Sequence, residues 1–337
     1  MNLKRRTIHG LIAILLLSGA LAASDFKNVG HSGANFLQIP VEPVGAALGN
    51  AYVAGARGVD GLYWNPGAIA FTEGTEVLLS TADWIVDTRV SYAGISRDLG
   101  RYGAVGISLT ALTMDDMEIT TEFEPEGTGR FFSAGDYAAG LTYALALTDR
   151  FSFGGTVKYV YEYIWDANAG TVAFDFGSVY RSDFRNLRIG MRMANFGPNM
   201  TMGGDPIDGK GDDLVNVTDP DTDPRLDRIG EDFSLPQVFT AGIALDPVRS
   251  EEHRLTVMAS ATDPNDNDTR VNVGGEYGFH EVLILRGGWK GGYDEQGLSA
   301  GVGIRLNVSD VRSRLDYGFS DFGILGSIHH LSFRVGF

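Results

Sequence analysis

The feature that most constrains this fold is a two-residue alternation of apolar and polar or small residues, which runs from about Glu76 to Phe337. Successive side chains of a β-strand point to opposite faces, so this period predicts strands rather than helices. The final segment shows the two faces, in which Leu331, Phe333, Val335 and Phe337 alternate with His330, Ser332, Arg334 and Gly336. We therefore expect a chain that is mainly β-sheet.

The alternation divides into about 14 segments, an even number. Their lengths lie near the ~9–11 residues that a tilted strand needs to cross a bilayer, which is typical of outer-membrane barrels. The predicted strands are 77–84, 88–97, 102–113, 134–147, 151–164, 170–181, 186–196, 235–246, 253–262, 269–278, 280–290, 296–306, 311–319 and 327–337.

Alternation alone is compatible with two folds. In a soluble β-sandwich the charged face would meet water, whereas in a membrane barrel the apolar face meets lipid and the charges and glycines face the lumen. Connection lengths favour the barrel, because short turns at one rim and long loops at the other are the outer-membrane pattern. The tight turns are 148–150, 183–185, 279–280 and 307–310, and the long connections are 114–133 and 197–234.

The predicted fold class is therefore all-β, a transmembrane antiparallel β-barrel of about 14 strands occupying residues 76–337. A periplasmic β-sandwich is the alternative. On the last strand, Phe333, Val335 and Phe337 lie on the lipid-facing side. We interpret these three residues as the C-terminal outer-membrane insertion signal, which implies barrel-insertion machinery and membrane lipid as partners.

The first 22 residues are predicted to be a signal peptide. Lys4, Arg5 and Arg6 precede the apolar run 11–17, and small residues follow at Ala20 and Ala22. This run is too short for a membrane-spanning helix, which needs ~20 residues. The expected location is the bacterial outer membrane.

Composition excludes several classes of function. The chain has no cysteine, which excludes disulfides, thiolate metal sites and thiol nucleophiles. A formal net charge of −16 argues against a nucleic-acid partner, because such a chain cannot neutralise a row of phosphates. We also expect no cofactor.

Residues 23–75 lack the alternation and are rich in Gly, Ala and Pro. An irregular backbone cannot face lipid, because its polar groups need partners in protein or water. A barrel of about 14 strands has room for a polypeptide in its lumen. We therefore predict that this segment forms a hatch that plugs the barrel.

The hatch also carries a family resemblance. Residues Gly58–Ala70, with Asn65-Pro66-Gly67 near their centre, resemble the signature before the first strand of FadL-like outer-membrane proteins. The preceding run, residues 36–58, is similar to the PorV/PorQ branch of that superfamily, and the resemblance is specific over about residues 33–71. The usual Ala-Gly after Asn-Pro is here Gly67-Ala68. The resemblance implies a 14-stranded barrel with an N-terminal hatch.

Two functions follow from the resemblance. The PorV/PorQ branch implies a component of, or shuttle for, type IX-like protein secretion, with secretion subunits and the C-terminal domains of cargo as partners. The alternative is a FadL-like channel that takes up hydrophobic small molecules. A third hypothesis is a porin-like protein whose lumen is simply plugged.

Three groups of residues are candidate sites. The hatch turn of Asn65, Pro66 and Gly67 is expected to fix the chain before the first strand. Loop 114–133 offers an apolar contact for a ligand or a protein, although it could instead fold over its own aromatics. Its residues are Met114, Met117, Ile119, Phe123, Phe131 and Phe132.

Loop 197–234 is acidic, and Asp219, Asp221 and Asp223 are spaced as weak candidates for Ca²⁺ ligands. The glycine and terminal glutamate of an EF-hand are absent, so a solvated loop is the favoured interpretation. Catalysis is not expected. His330 and Ser332 share a face but would point into the lumen, and a nucleophile also needs an oxyanion site.

Overall fold

The computed structural model describes residues 30–120, 123–203 and 232–337. Within them, fourteen antiparallel strands form one closed barrel, which confirms the predicted fold class. The predicted signal peptide, residues 1–22, lies outside the described residues.

The barrel is built from strands that follow one another along the chain. They are β1 (Thr75–Asp83), β2 (Thr88–Asp98), β3 (Ala104–Met114), β6 (Ala134–Thr148), β7 (Phe151–Ile164), β8 (Ala167–Ser182), β9 (Leu187–Phe196), β10 (Val238–Arg249), β11 (His253–Pro264), β12 (Arg270–Phe279), β13 (Leu283–Gly291), β14 (Leu298–Val308), β15 (Val311–Asp321) and β16 (Ser327–Gly336). Two short strands, β4 (Met117–Glu118) and β5 (Phe131–Phe132), pair with each other outside the barrel.

Pairing of β1 with β16 closes the barrel. The seam extends one residue further, since the Thr75 amide donates to the Phe337 oxygen at 2.8 Å and the Phe337 amide donates to the Thr75 oxygen at 2.9 Å. Closure leaves no unpaired strand edge. The end of the barrel that carries this junction and the short turns is called the turn end, and the opposite end is the loop end.

The outer surface of the barrel is apolar. Large hydrophobic side chains are exposed along most of the strands, among them Leu79, Leu141, Val157, Leu285, Leu315 and Phe333. The inner face carries charged, hydroxyl and glycine residues instead, such as Arg188, Asp316 and Ser332. This inverted arrangement is the one that a lipid environment requires.

The described part of the hatch, residues 30–74, contains only short helical pieces. They are the 3₁₀ helices Asn35–Gln38, Gly58–Asp60 and Pro66–Phe71 and the α-helices Pro43–Ala47 and Gly61–Trp64. Across residues 30–120, 123–203 and 232–337, no helix has both the length and the apolar character needed to cross a membrane.

The hatch runs through the lumen from the loop end to the turn end. At the loop end the Gly30 amide donates to the Asp266 oxygen, and at the turn end the Arg334 guanidinium donates to the Arg57 oxygen at 2.9 Å. Between these points hatch side chains pack against the inner wall in three clusters. Their central hatch residues are Phe36 and Leu37, then Leu48 and Trp64, and then Leu62 and Ile69.

Wall glycines let the hatch backbone touch the strands. The Pro66 oxygen lies 2.6 Å from the position that a Cβ on Gly154 would occupy, and the Val53 oxygen lies 2.5 Å from that position on Gly190. Any larger residue would push the hatch away from the wall. Part of the chain's large glycine content, 45 residues, is explained by these approaches.

Buried ion pairs join the hatch to the wall near the turn end. Arg334 Nη2 lies 2.8 Å from Asp60 Oδ1, and Arg314, which pairs with the wall residue Asp316 at 2.5 Å, lies 3.7 Å from Asp60. Breaking a buried pair leaves an uncompensated charge, so we expect the loss of either contact to be destabilising.

Candidate functional site

A cavity of about 790 Å³ lies between the start of the hatch and the loop end of the barrel. We call it the outer cavity. One wall is apolar, formed by Phe36 and Ile39 of the hatch with Trp84 and Leu112 of the β1–β2 connection and β3. Ligand sites in proteins commonly have volumes of about 300–1,000 Å³ and mostly apolar walls.

The remaining wall of the outer cavity is polar. Asp136 and Glu162 line it on the side of β6 and β7, and Arg270 lines it on the side of β12. β12 lies far around the barrel from β6 and β7. The cavity therefore has carboxylates and a guanidinium on different sides, with an apolar surface between them.

The rim of this cavity is held by specific contacts. The Ser32 hydroxyl donates to the buried Asp266 carboxylate, and the Trp84 ring meets the Phe322 ring edge-on with centroids 5.2 Å apart. These contacts tie the start of the hatch and the β1–β2 connection to neighbouring loops. They define an opening at the loop end.

A second cavity, of about 60 Å³, lies deeper in the lumen and is called the inner cavity. It shares Gln38, Asn50, Arg270 and Tyr293 with the outer cavity. Its floor includes Tyr63 and Trp64, whose rings meet edge-on at 5.0 Å. The two cavities are therefore neighbours, the outer one at the loop end and the inner one beside the middle of the hatch.

The predicted hatch turn lies below these cavities, fully buried against β8. Asn65 Nδ2 donates to the Val53 oxygen and to the Ser178 oxygen, both at 3.0 Å, and Asn65 Oδ1 accepts from the Gly67 amide at 3.1 Å. Pro66 begins the 3₁₀ helix that follows. The three residues thus connect two parts of the hatch to the wall and do not line either cavity.

A buried acidic residue sits in the same part of the hatch. Glu42 accepts a hydrogen bond from Trp64 Nε1 at 2.9 Å and is 1 % exposed. Burial and the nearby carboxylate of Asp60 raise the pKa of Glu42 to about 8. Glu42 is therefore largely protonated at neutral pH.

The predicted apolar contact residues of loop 114–133 do not line either cavity. They belong to the end of β3 and to the small β4–β5 hairpin, where Met117 pairs with Phe132. Phe123 is 93 % exposed. Binding of a ligand or a partner protein by this surface stays a prediction.

The predicted Ca²⁺ candidates Asp219, Asp221 and Asp223 lie outside the described residues. In the part of the chain that is described, no group of three or more His, Asp or Glu side chains is arranged to hold a metal ion. His330 and Ser332 are both buried on the lumenal face of β16.

On the same closing strand and just beyond it, the side chains of Phe333 and Phe337 are exposed on the outer surface of the barrel. The proposed insertion signal formed by Phe333, Val335 and Phe337 thus lies along the closing strand and its end, and its role stays a prediction.

Sequence reasoning did not identify the residues that build the cavities. Trp84 follows the end of β1, and Asn272 is an ordinary polar position in an alternating strand. The alternation assigns Asn272 to the lumen but carries no sign that it lines a cavity. To identify Asn272 as a cavity residue, one must know which hatch residues lie beside which strand residues.

Comparison with known proteins gives matches at the level of structure. A scan against protein-family profiles finds no match, and no curated protein gives a significant match to the sequence. The CymD monoaromatic hydrocarbon channel is similar in structure, with a TM-score of 0.52 and 12% identity over 88% of this chain and 96% of that one.

Two toluene transporters are similar to the same degree. TbuX of Ralstonia pickettii gives a TM-score of 0.53 at 11% identity, covering 87% of this chain and 96% of its own. TodX of Pseudomonas putida gives 0.53 at 12% identity, covering 92% and 98%. At this identity the likeness concerns the fold. The chain therefore has the fold of these hydrocarbon channels, a closed 14-strand barrel with helical pieces at its N-terminal end.

Proposed function

We propose that this protein is a channel of the bacterial outer membrane, in the FadL-like superfamily, that takes up small hydrophobic molecules. The observation that carries the proposal is the outer cavity, which opens at the loop end and has an apolar wall of Phe36, Ile39, Trp84 and Leu112. Its volume of about 790 Å³ is ample for a single aromatic ring.

The fold shared with CymD, TbuX and TodX supports the same reading, because those proteins are named as hydrocarbon channels or toluene transporters. The loop end would then face the cell exterior. A molecule entering there would meet the hatch, whose packing has to change before passage. The secretion role that the PorV/PorQ resemblance implies stays a prediction, as does the absence of catalysis.

Binding to the outer cavity is testable with a pair of substitutions on one strand. Leu112 lines the cavity, whereas Leu109 on the same strand faces lipid. Leu112→Trp fills the cavity, and Leu109→Trp adds the same bulk outside. We expect the purified wild-type protein in detergent to bind toluene, with binding weakened by Leu112→Trp and unchanged by Leu109→Trp.

Uptake is measured in cells whose outer membrane lacks other channels of this kind. Expression of the wild-type protein is expected to raise the uptake rate of labelled toluene above the vector control, and Leu112→Trp to abolish the increase. Uptake equal to the vector control, with correctly folded wild-type barrel in the membrane, would contradict the proposal.

A further inference from the structure

The inner cavity is lined by buried polar atoms that have no hydrogen-bond partner in the described part of the chain. There are five: Asn50 Oδ1, Arg192 Nε, Arg270 Nε, and both Oδ1 and Nδ2 of Asn272. A buried polar atom without a partner costs about 1–3 kcal/mol. Native proteins therefore rarely leave such groups unpaired, and a concentration of them around one cavity indicates a polar occupant.

Asn272 gives the most direct indication. Its side chain is 1 % exposed, and neither its oxygen nor its nitrogen is hydrogen-bonded within the described residues. It lies on β12 opposite Ser260 of β11 and Lys290 of β13. The amide thus offers both a donor and an acceptor to whatever enters the inner cavity.

Among the described residues, the charged side chains that line the inner cavity are both cationic, Arg192 and Arg270. Lys158 and Arg192 share one carboxylate, Asp175, at 2.9 Å and 3.8 Å. Arg270 and Lys290 form no ion pair with any described residue; Arg270 lies over the Tyr293 ring at 4.4 Å, and Lys290 donates to Gln296 Oε1 at 2.9 Å. At the inner cavity, Arg192 therefore shares its carboxylate and Arg270 forms no ion pair with a described residue, whereas Asp136 and Glu162 line only the outer cavity, so an anionic occupant would meet two guanidinium groups.

The sizes of the two cavities limit the form of this anion. The inner cavity, about 60 Å³, holds a group of a few atoms, such as a carboxylate, and is smaller than the ~150 Å³ cavity that binds benzene. The outer cavity, about 790 Å³, accepts a ring or a short chain. Gln38, Asn50, Arg270 and Tyr293 border both cavities, so the two lie side by side.

We propose that the ligand is a small organic anion whose carboxylate binds in the inner cavity, to Arg270, Arg192 and Asn272, while its apolar part lies in the outer cavity. This inference rests on the proposed function, because it assigns a chemical class to the molecule that the outer cavity takes. Charge-assisted hydrogen bonds from guanidinium groups are among the strongest that a protein can offer a carboxylate.

The test compares benzoate with benzamide, which has nearly the same shape but no charge. Calorimetric titration of the full chain in detergent is expected to show benzoate binding on the order of ten-fold more tightly than benzamide. Arg270→Gln and Asn272→Leu should each remove most of this advantage. Arg89→Gln makes the same charge change at an exposed position paired with Asp83, and should leave binding unchanged.

Two results would overturn the inference: equal affinity of wild type for benzoate and benzamide, or an unchanged benzoate advantage in both cavity variants. Acetate binding as tightly as benzoate would also overturn it, because the outer cavity would then contribute nothing. If Asn272→Leu fails to fold, the comparison of benzoate with benzamide on the wild type and on Arg270→Gln still tests the inference.

Toluene separates this inference from the proposed function. Toluene binding that is lost in Leu112→Trp, together with no preference for benzoate, would retain the channel for hydrophobic molecules and remove the carboxylate site. Loss of all binding in the folded wild-type protein would remove both.

Discussion

The backbone oxygen of Leu48 lies 2.5 Å from the position that a Cβ on Gly274 would occupy. Leu48 belongs to the hatch and Gly274 to β12, so the plug and the wall meet at a point where only a hydrogen fits. The neighbouring Gly275 faces the other side of the same strand and has nothing within 4 Å of its Cβ position. The two glycines form a natural pair for measuring how firmly the hatch is seated.

Gly274→Ala is expected to loosen the hatch. The added methyl group must displace the Leu48 backbone, and overpacking of this kind typically costs about 1–3 kcal/mol. Limited proteolysis of the folded barrel should cut the hatch faster in this variant. Gly275→Ala makes the same change on the lipid side and should be cut at the wild-type rate; equal rates for both variants would show that the contact does not hold the hatch.

Asn65→Ala removes a buried side chain that connects the hatch to β8. The Val53 and Ser178 carbonyls lose a donor, at about 1–3 kcal/mol for each buried group left unpaired. We expect a lower midpoint of denaturant unfolding. Asn168→Ala removes an exposed asparagine near the loop end of β8 and should leave the midpoint within the error of wild type.

The stability of the seated hatch should depend on pH through Glu42. Burial and Asp60 raise the pKa of Glu42 to about 8, above its ordinary value of 4.5. The folded state therefore binds a proton more strongly than the unfolded state, so its stability falls as the pH rises between about 4.5 and 8. Glu42→Gln keeps the shape without the charge.

The measurement is the rate of hatch proteolysis, or the unfolding midpoint, at several pH values from 5 to 9. Wild type should become less stable as the pH increases, and Glu42→Gln should show a flatter profile. A wild-type profile that rises with pH over this range, or one identical to that of Glu42→Gln, would exclude this role for Glu42.

Asp316→Asn is expected to destabilise the barrel near the turn end. Asp316 is fully buried and pairs with both Arg286 and Arg314, so its neutralisation leaves Arg286 with Glu276 alone and Arg314 with the more distant Asp60. Breaking a buried pair in this way costs about 3–5 kcal/mol. Asp310→Asn, in the exposed β14–β15 turn, provides the control, and equal unfolding midpoints would contradict the prediction.

Phe123→Ser should leave both stability and toluene binding unchanged. Phe123 is 93 % exposed and lines neither cavity. A loss of toluene binding in this variant would move the ligand site to loop 114–133. A loss of captured partner proteins without any change in ligand binding would instead support the secretion role.

The barrel strands could be predicted from the sequence because the alternation of apolar and polar residues is a local pattern. The strand count, the short turns and the outward side of Phe333 all follow from a period of two residues. Boundaries were less certain: the strand predicted at 235–246 is observed as Val238–Arg249. The start of a strand depends on pairing with its neighbours, which a single segment does not show.

The contacts inside the lumen could not be predicted in the same way, because they join residues that are far apart in the chain. The alternation places charged residues such as Arg334 and Asp316 in the lumen, but the sequence does not reveal that Arg334 pairs with Asp60 of the hatch. Likewise Asn272 differs from a solvated asparagine because it is buried at the inner cavity, beside hatch residues such as Asn50. These relations depend on the depth at which the hatch sits.

The seam between β1 and β16 imposes an order of assembly. The barrel cannot close until the segment Ser327–Gly336 has been synthesised, because this strand is the partner of β1. The hatch precedes β1 in the chain and is already inside the finished lumen. A hatch that does not thread through an already closed barrel must lie against the open sheet before β1 and β16 pair. The plug is thus present during construction of the wall, and the wall residues that touch it, such as Gly274, are expected to find their positions against it.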